Sequence, residues 1–152
     1  MRVAQKLVIE APRATIWEVI SDGKRYQDFM ADAELWDVVG DQASGLGARW
    51  AIRLRVGSAP VGGLVEVTEF DEPANLAFNA ITGVATRGRW RLRERRPGLT
   101  EVEFRLNYQS PGGLLGLVAD RVSGPLVARI LKRSLRNLRD LLEGPGAGFR
   151  SN

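Results

Sequence analysis

Residues 87–108 open with Arg87-Gly88-Arg89-Trp90-Arg91-Leu92-Arg93 and close with Glu101-Val102-Glu103-Phe104-Arg105-Leu106-Asn107-Tyr108. In both runs apolar and charged residues alternate with period two. That pattern marks strands of a sheet with one buried and one wet face. Arg96-Pro97-Gly98 stands between them and signals a turn. With the hairpin centred near Pro97-Gly98, Arg95 and Arg93 fall opposite Glu101 and Glu103. Such cross-strand pairs contribute about 0.2–1 kcal/mol each. The arginine row therefore reads as a salt-laced outer face, and Trp90, Leu92, Val102 and Phe104 as the inner one.

The same alternation runs upstream. Ala48, Trp50, Ile52, Leu54 and Val56 share one face, and Arg49, Arg53 and Arg55 the other. Glu34–Val39, Val61–Phe70 and Asn75–Thr82 read as further strands, separated by Gly40-Asp41, Gly57/Pro60 and Asp71-Glu72-Pro73. Six consecutive strands on turn-length links make an antiparallel meander. Downstream, Leu115, Val118, Val122, Leu126, Ile130, Leu131, Leu135, Leu138, Leu141 and Leu142 recur at steps of three and four, the signature of an amphipathic helix. Ser123-Gly124-Pro125 predicts a kink or break in it. Gly144 sits where a helix commonly ends. Residues 144–152, rich in glycine, read as a flexible tail.

The chain begins with a strand, Val3–Glu10. A helix containing Ile16, Val19 and Ile20 on one face follows Pro12, and a second short helix covers Lys24–Met30. The fold class is α+β: a curved antiparallel sheet of about seven strands wrapped round a long C-terminal helix, with two short helices after the first strand. The helix must bury its apolar stripe, and the aromatic sheet face is the natural partner. A curved sheet does not close tightly on one helix, so the interior can keep a cavity for an apolar ligand.

The chain has 152 residues, a length that predicts one domain, here residues 1–143. It has no cysteine, which excludes disulfides, thiolate catalysis and Cys-bound metal. It has no histidine, which removes the usual general base and the commonest metal ligand. No metal and no cofactor is expected. The net charge is +4, with 22 Lys and Arg, of which 19 are Arg, against 18 Asp and Glu. The arginines interleave with acids and no nucleic-acid motif is present, so nucleic acid is not an expected partner. No apolar stretch approaches ~20 residues, and the first residues lack a signal-peptide core. The expectation is a cytoplasmic protein, monomer or dimer.

Val8-Ile9-Glu10-Ala11-Pro12, then Ile16-Trp17-Glu18-Val19-Ile20-Ser21-Asp22, and Tyr26-Gln27-Asp28-Phe29-Met30 resemble the opening of the START-like, helix-grip (SRPBCC) superfamily. That superfamily includes polyketide cyclase/dehydrase and lipid-transport proteins. Gln27 stands where the family often has proline. Arg89-Trp90-Arg91-Leu92 and the Leu-rich end extend the resemblance over residues 3–143. It implies a helix-grip fold around a ligand cavity and says little about the ligand.

Residues expected at such a cavity are Tyr26, Phe29 and Met30 at its mouth, Trp50, Phe78, Trp90, Phe104 and Tyr108 on the sheet, and Val118, Val122 and Leu126 on the helix. Each reads equally as plain core. Tyr108 is the best polar handle, since a buried hydroxyl seeks a partner; Thr68 and Thr82 are weaker ones. The carboxylate pairs Glu66/Glu69 and Glu101/Glu103 read as solvated charge. Gly112-Gly113 and Gly45-x-Gly47 lack the lysine and spacing of phosphate loops.

Three functions fit. The first is non-catalytic binding or transport of a hydrophobic small molecule such as a lipid, isoprenoid or polyketide-like compound. The second is an aromatase/cyclase or dehydratase in the same cavity, working without histidine or metal and largely by shaping its substrate. A buried Arg or carboxylate pointing inward would favour it. The third is an interaction module, with Lys132, Arg133, Arg136 and Arg139 meeting an anionic membrane or acidic partner.

Overall fold

The computed structural model describes residues 1–109 and 113–144, and the side chains of these except 113–123. Strand β1 (Arg2–Ile9) leads to helix α1 (Arg13–Ile20) and a 3₁₀ helix (Gly23–Asp28). Six strands follow without a helix between them: β2 (Ala33–Val39), β3 (Arg49–Val56), β4 (Ala59–Asp71), β5 (Asn75–Ala80), β6 (Thr86–Arg96) and β7 (Leu99–Tyr108). Helix α2 (Gly113–Glu143) closes the order. The strands form one antiparallel sheet in the order β1-β7-β6-β5-β4-β3-β2. β2 to β7 are thus a meander, and β1 joins its far end. The sheet curls around α2 as a half-barrel, the helix-grip arrangement.

Alternation decides which face is inside. On β3, Trp50, Ile52 and Leu54 are buried while Arg49, Arg53 and Arg55 are exposed. On β7, Thr100, Val102, Phe104, Leu106 and Tyr108 are all buried. The outer arginines meet acids across the sheet: Arg49 with Glu66 (3.2 Å) and Arg55 with Glu34 (2.7 Å) on adjacent strands, and Arg89 on β6 with Glu69 on β4 (2.7 Å), reaching over β5. Exposed pairs of this kind add at most about 1 kcal/mol each.

The β6–β7 hairpin differs from the expected alignment. Arg93 faces Glu101 and Arg91 faces Glu103, because β6 carries a bulge between Glu94 and Arg96 while Arg96 pairs with Leu99. The extra residue of a bulge slides the pairing along one strand. Arg95, displaced at the bulge, still reaches the Glu101 carboxylate and holds it below the usual carboxylate range.

α2 also departs from the expectation of a break. It runs uninterrupted from Gly113 to Glu143 with Pro125 inside it. Packing of its apolar stripe offsets the local cost of proline, and a proline within a helix need remove only one backbone bond. The helix ends at Gly144, whose φ of +83° is the left-handed geometry glycine adopts without penalty. Residues 145–152 of the expected tail lie outside the described residues.

Polar contacts fix the helix against the segment that leads into β2. The Ala31 N–H donates to Ser134 Oγ (2.9 Å), and that hydroxyl donates to Ile130 O (2.7 Å). The Asn137 amide donates to Phe29 O (3.0 Å), and Arg133 pairs with Asp32 (3.1 Å). Asp32 itself turns the chain into β2 with φ +57°, a region aspartate tolerates better than most residues.

Candidate functional site

The concave side of the sheet is filled at one end and hollow at the other. The filled end is a cluster of rings. Tyr26 stacks on Trp36 at 4.3 Å and lies 5.0 Å from both Phe29 and Trp50. Trp90 stacks on Phe104 at 4.0 Å and 5°. Two glycines make this density achievable. A Cβ at Gly23 would stand 2.3 Å from the Trp50 indole, and one at Gly88 would stand 2.2 Å from the Phe78 ring. Phe78 and Gly88 are direct cross-strand partners, so the ring lies over a position with no side chain. The Tyr26 hydroxyl donates to Ile20 O at 2.5 Å, and full burial pushes its pKa well above the ordinary phenol value.

The hollow end is a cavity of about 380 Å³. α2 contributes Val127 and Ile130. The far ends of β3 and β7 contribute Ile52, Leu54, Val56, Leu106 and Tyr108. The start of β4, with Pro60, Val61 and Gly62, closes one side, and Val84 and Thr86 another. Met30, Trp36, Phe78 and Phe104 separate it from the ring cluster. Trp50 and Trp90 are 0% exposed, whereas Ile52, Leu54, Leu106 and Tyr108 retain 8, 9, 7 and 9%. That residual exposure is what side chains facing unfilled space show.

Among the described lining residues none carries a formal charge at neutral pH, and Tyr108 is the one titratable side chain. The other polar side-chain groups are the Thr86 hydroxyl, which donates to Val84 O (2.8 Å), and the Trp36 indole. A wall of this chemistry attracts apolar surface by excluding water and offers little to a charged guest. Among the described residues no group of three or more His, Cys, Asp or Glu could hold a metal ion.

Of the expected site residues, Met30, Phe78, Phe104 and Tyr108 line the cavity. Tyr26, Phe29, Trp50 and Trp90 belong to the packed cluster beside it, because rings of their size fill the space they face. Leu126 is half-buried and approaches Gly57 at the β3–β4 turn, with its Cδ1 3.3 Å from where a Cβ would stand. The side chains of Val118 and Val122 lie outside the described residues. Thr68 and Thr82 are exposed, and Thr82 Oγ1 accepts the Leu64 N–H (3.0 Å). Sequence reading missed Trp36, Ile52, Leu54, Val56, Leu106, Val127 and Ile130. The signal was there in the step from tryptophan to aliphatic residues along β3.

No curated protein matches the chain by sequence. Solved structures do match it in fold. The protein TTHA0849 of Thermus thermophilus superposes with a TM-score of 0.81 at 19% identity, covering 93% of this chain and 97% of that one. A START superfamily protein from Mycobacterium smegmatis gives 0.75 at 13%, covering 93% and 97%. The Zhui aromatase/cyclase from Streptomyces sp. R1128 gives 0.68 at 19%, covering 100% and 96%. Among the described residues no helix is long and apolar enough to cross a membrane. With a match over residues 1–143 to the family described as polyketide cyclase / dehydrase and lipid transport, on a helix-grip fold that encloses an apolar cavity, the chain belongs to that family.

Proposed function

We propose that residues 1–143 form one ligand-binding domain that takes up and carries a hydrophobic small molecule without transforming it. The guest lies against Met30, Phe78, Phe104 and Tyr108 from the ring cluster and sheet, and against Val127 and Ile130 from the helix. The observation that carries this reading is the cavity itself. Its 380 Å³ falls within the roughly 300–1,000 Å³ typical of small-molecule sites, and its described walls hold no charged side chain. A lipid, isoprenoid or polyketide-like chain fits that chemistry, with Tyr108 as the polar contact that orients one end.

The likeness to the Zhui aromatase/cyclase keeps a second reading in play, in which the cavity folds a reactive polyketide for cyclisation or dehydration. Proton transfer would then fall to Tyr108, since the described lining offers no carboxylate, lysine or arginine. That shortage favours carriage over catalysis.

Native mass spectrometry of the purified protein, followed by titration of a fluorescent lipid analogue, tests the reading. A co-purifying organic species or saturable one-to-one uptake is the expected result. An empty protein with no saturable uptake contradicts both binding and catalysis. Turnover of a polyketide-like substrate, abolished in Tyr108→Phe, would move the protein to the second reading.

A further inference from the structure

A second groove, of about 290 Å³, lies between β1 and α2. It is lined by Gln5, Lys6 and Leu7 on the strand and by Lys132, Leu135, Arg136 and Arg139 on the helix. β1 is an edge strand, paired with β7 on one side alone, so the groove runs along the open edge of the sheet. Lys132, Arg136 and Arg139 follow one another at i, i+4 and i+7 and therefore form one stripe of the helix surface. Leu135, 1% exposed, supplies an apolar floor.

Some basic side chains elsewhere have acid partners, whereas others, such as Arg53 and Arg87, form no ion pair among the described residues. Arg49 has Glu66 and Arg89 has Glu69; Arg133, on the same helix, has Asp32. Among the described residues none of Lys132, Arg136 and Arg139 has a carboxylate within ion-pair distance. Lys6 stands on the outer sheet face, opposite Glu103 in the strand register, and its charge acts on Glu101 there. Asp140 follows Arg139 on the exposed helix surface and is the acid nearest in sequence to the stripe. Three positive groups of one helix stripe thus line the concavity. Their mutual repulsion is relieved by a multiply charged anion, and guanidinium forks suit phosphate oxygens in particular. The helix C-terminus, whose partial negative charge would oppose an anion, begins beyond Arg139, and that field falls off within the last turn.

We infer that the β1–α2 groove binds a phosphate group, held by Arg136, Arg139 and Lys132 with the Gln5 amide as a further donor. The group can come from a lipid headgroup or from a free phosphate ester, and the groove's chemistry is the same for both. This site is separate from the cavity and does not rest on what the cavity holds.

The test titrates inorganic pyrophosphate into the full chain by calorimetry. In parallel the protein is sedimented with vesicles of phosphatidylcholine alone or mixed with phosphatidylglycerol. Saturable single-site pyrophosphate binding is expected. It should weaken at least about tenfold in Arg136→Gln/Arg139→Gln, through loss of charge-assisted hydrogen bonds, and fall with added salt. Arg53→Gln/Arg93→Gln removes the same charge from the convex sheet face and should bind like the unmodified chain. Circular dichroism and uptake of the apolar probe should be unchanged in both variants, which separates this test from that of the cavity. Pyrophosphate binding without vesicle binding assigns a free phosphate ester. Phosphatidylglycerol-dependent sedimentation lost in the helix variant assigns a headgroup. Absence of both, or equal loss in the two double variants, overturns the proposal.

Discussion

The two ends of the concave sheet face are built by the same strands and the same alternation, yet one is solid and the other hollow. On β3 the inward residues run Trp50, Ile52, Leu54, Val56; on β6 they run Leu92, Trp90, Gly88, Thr86; on β7 they run Val102, Phe104, Leu106, Tyr108. At one end, rings from adjacent strands meet one another and the rings of the 3₁₀ helix region. At the other, aliphatic side chains face α2 across a gap of about 380 Å³. Side-chain volume, not the fold, decides whether this scaffold has a core or a container at a given level. Interiors pack to near-crystalline density, so a gap of this size departs from ordinary core packing.

The comparison breaks most visibly at Trp90. Truncation to alanine removes a fully buried ring stacked on Phe104, and should cost about 3–5 kcal/mol, a large part of a typical 5–15 kcal/mol stability. Urea unfolding followed by circular dichroism measures it; a cost below about 1 kcal/mol would mean that the ring end is not tightly packed. Next is Gly88→Ala, whose new methyl would overlap the Phe78 ring at 2.2 Å. The overpacked core should lose about 1–3 kcal/mol, read from the same unfolding midpoint. A neutral outcome would show that Phe78 can withdraw into the cavity.

Val127→Phe sharpens the contrast from the hollow side. The added ring enters existing room, so stability should stay within about 1 kcal/mol or rise, as cavity-filling changes often do. Uptake of an apolar fluorescent probe should meanwhile fall. Stability lost as heavily as at Gly88, with uptake intact, would place the guest elsewhere. The smallest effect lies outside both ends, at the Arg95–Glu101 pair on the outer face. Arg95 holds the Glu101 carboxyl below its ordinary pKa. Its contribution is present above the unfolded-state carboxylate pKa and is lost as pH falls through the lowered folded value. Because Arg95 is largely exposed, Arg95→Ala should cost less than about 1 kcal/mol at neutral pH. The difference from the unmodified chain should vanish in acid. A penalty that persists at low pH would assign it to packing instead.

What was legible in the sequence follows the range of the interactions involved. Period-two alternation in β3, β6 and β7 and the three-four spacing in α2 are local, and each appears as an element near the expected place. The cavity depends on which residues come level across strands, and that alignment is set by irregularities. Bulges between Ala33 and Leu35, between Val67 and Glu69 and between Glu94 and Arg96 shift the pairing in ways composition does not announce. Aromatic residues read alike as core or as wall, so Trp50 and Trp90 carried the same expectation as Phe78 and Phe104. Their level along the strands separates them: Phe78 and Phe104 border the cavity, whereas Trp50 and Trp90 face only the ring cluster. The groove at Gln5, Arg136 and Arg139 was half visible, since the helix stripe is periodic but its strand partner is more than a hundred residues away in the chain.

Methyl NMR of isoleucine-, leucine- and valine-labelled protein, titrated with an apolar ligand, probes the hollow and filled ends in one experiment. The account predicts saturable shifts at Ile52, Leu54, Leu106, Val127 and Ile130, while Leu76, Leu92 and Val102 stay in place. Shifts spread evenly over both groups, or none at any ligand concentration, would contradict it.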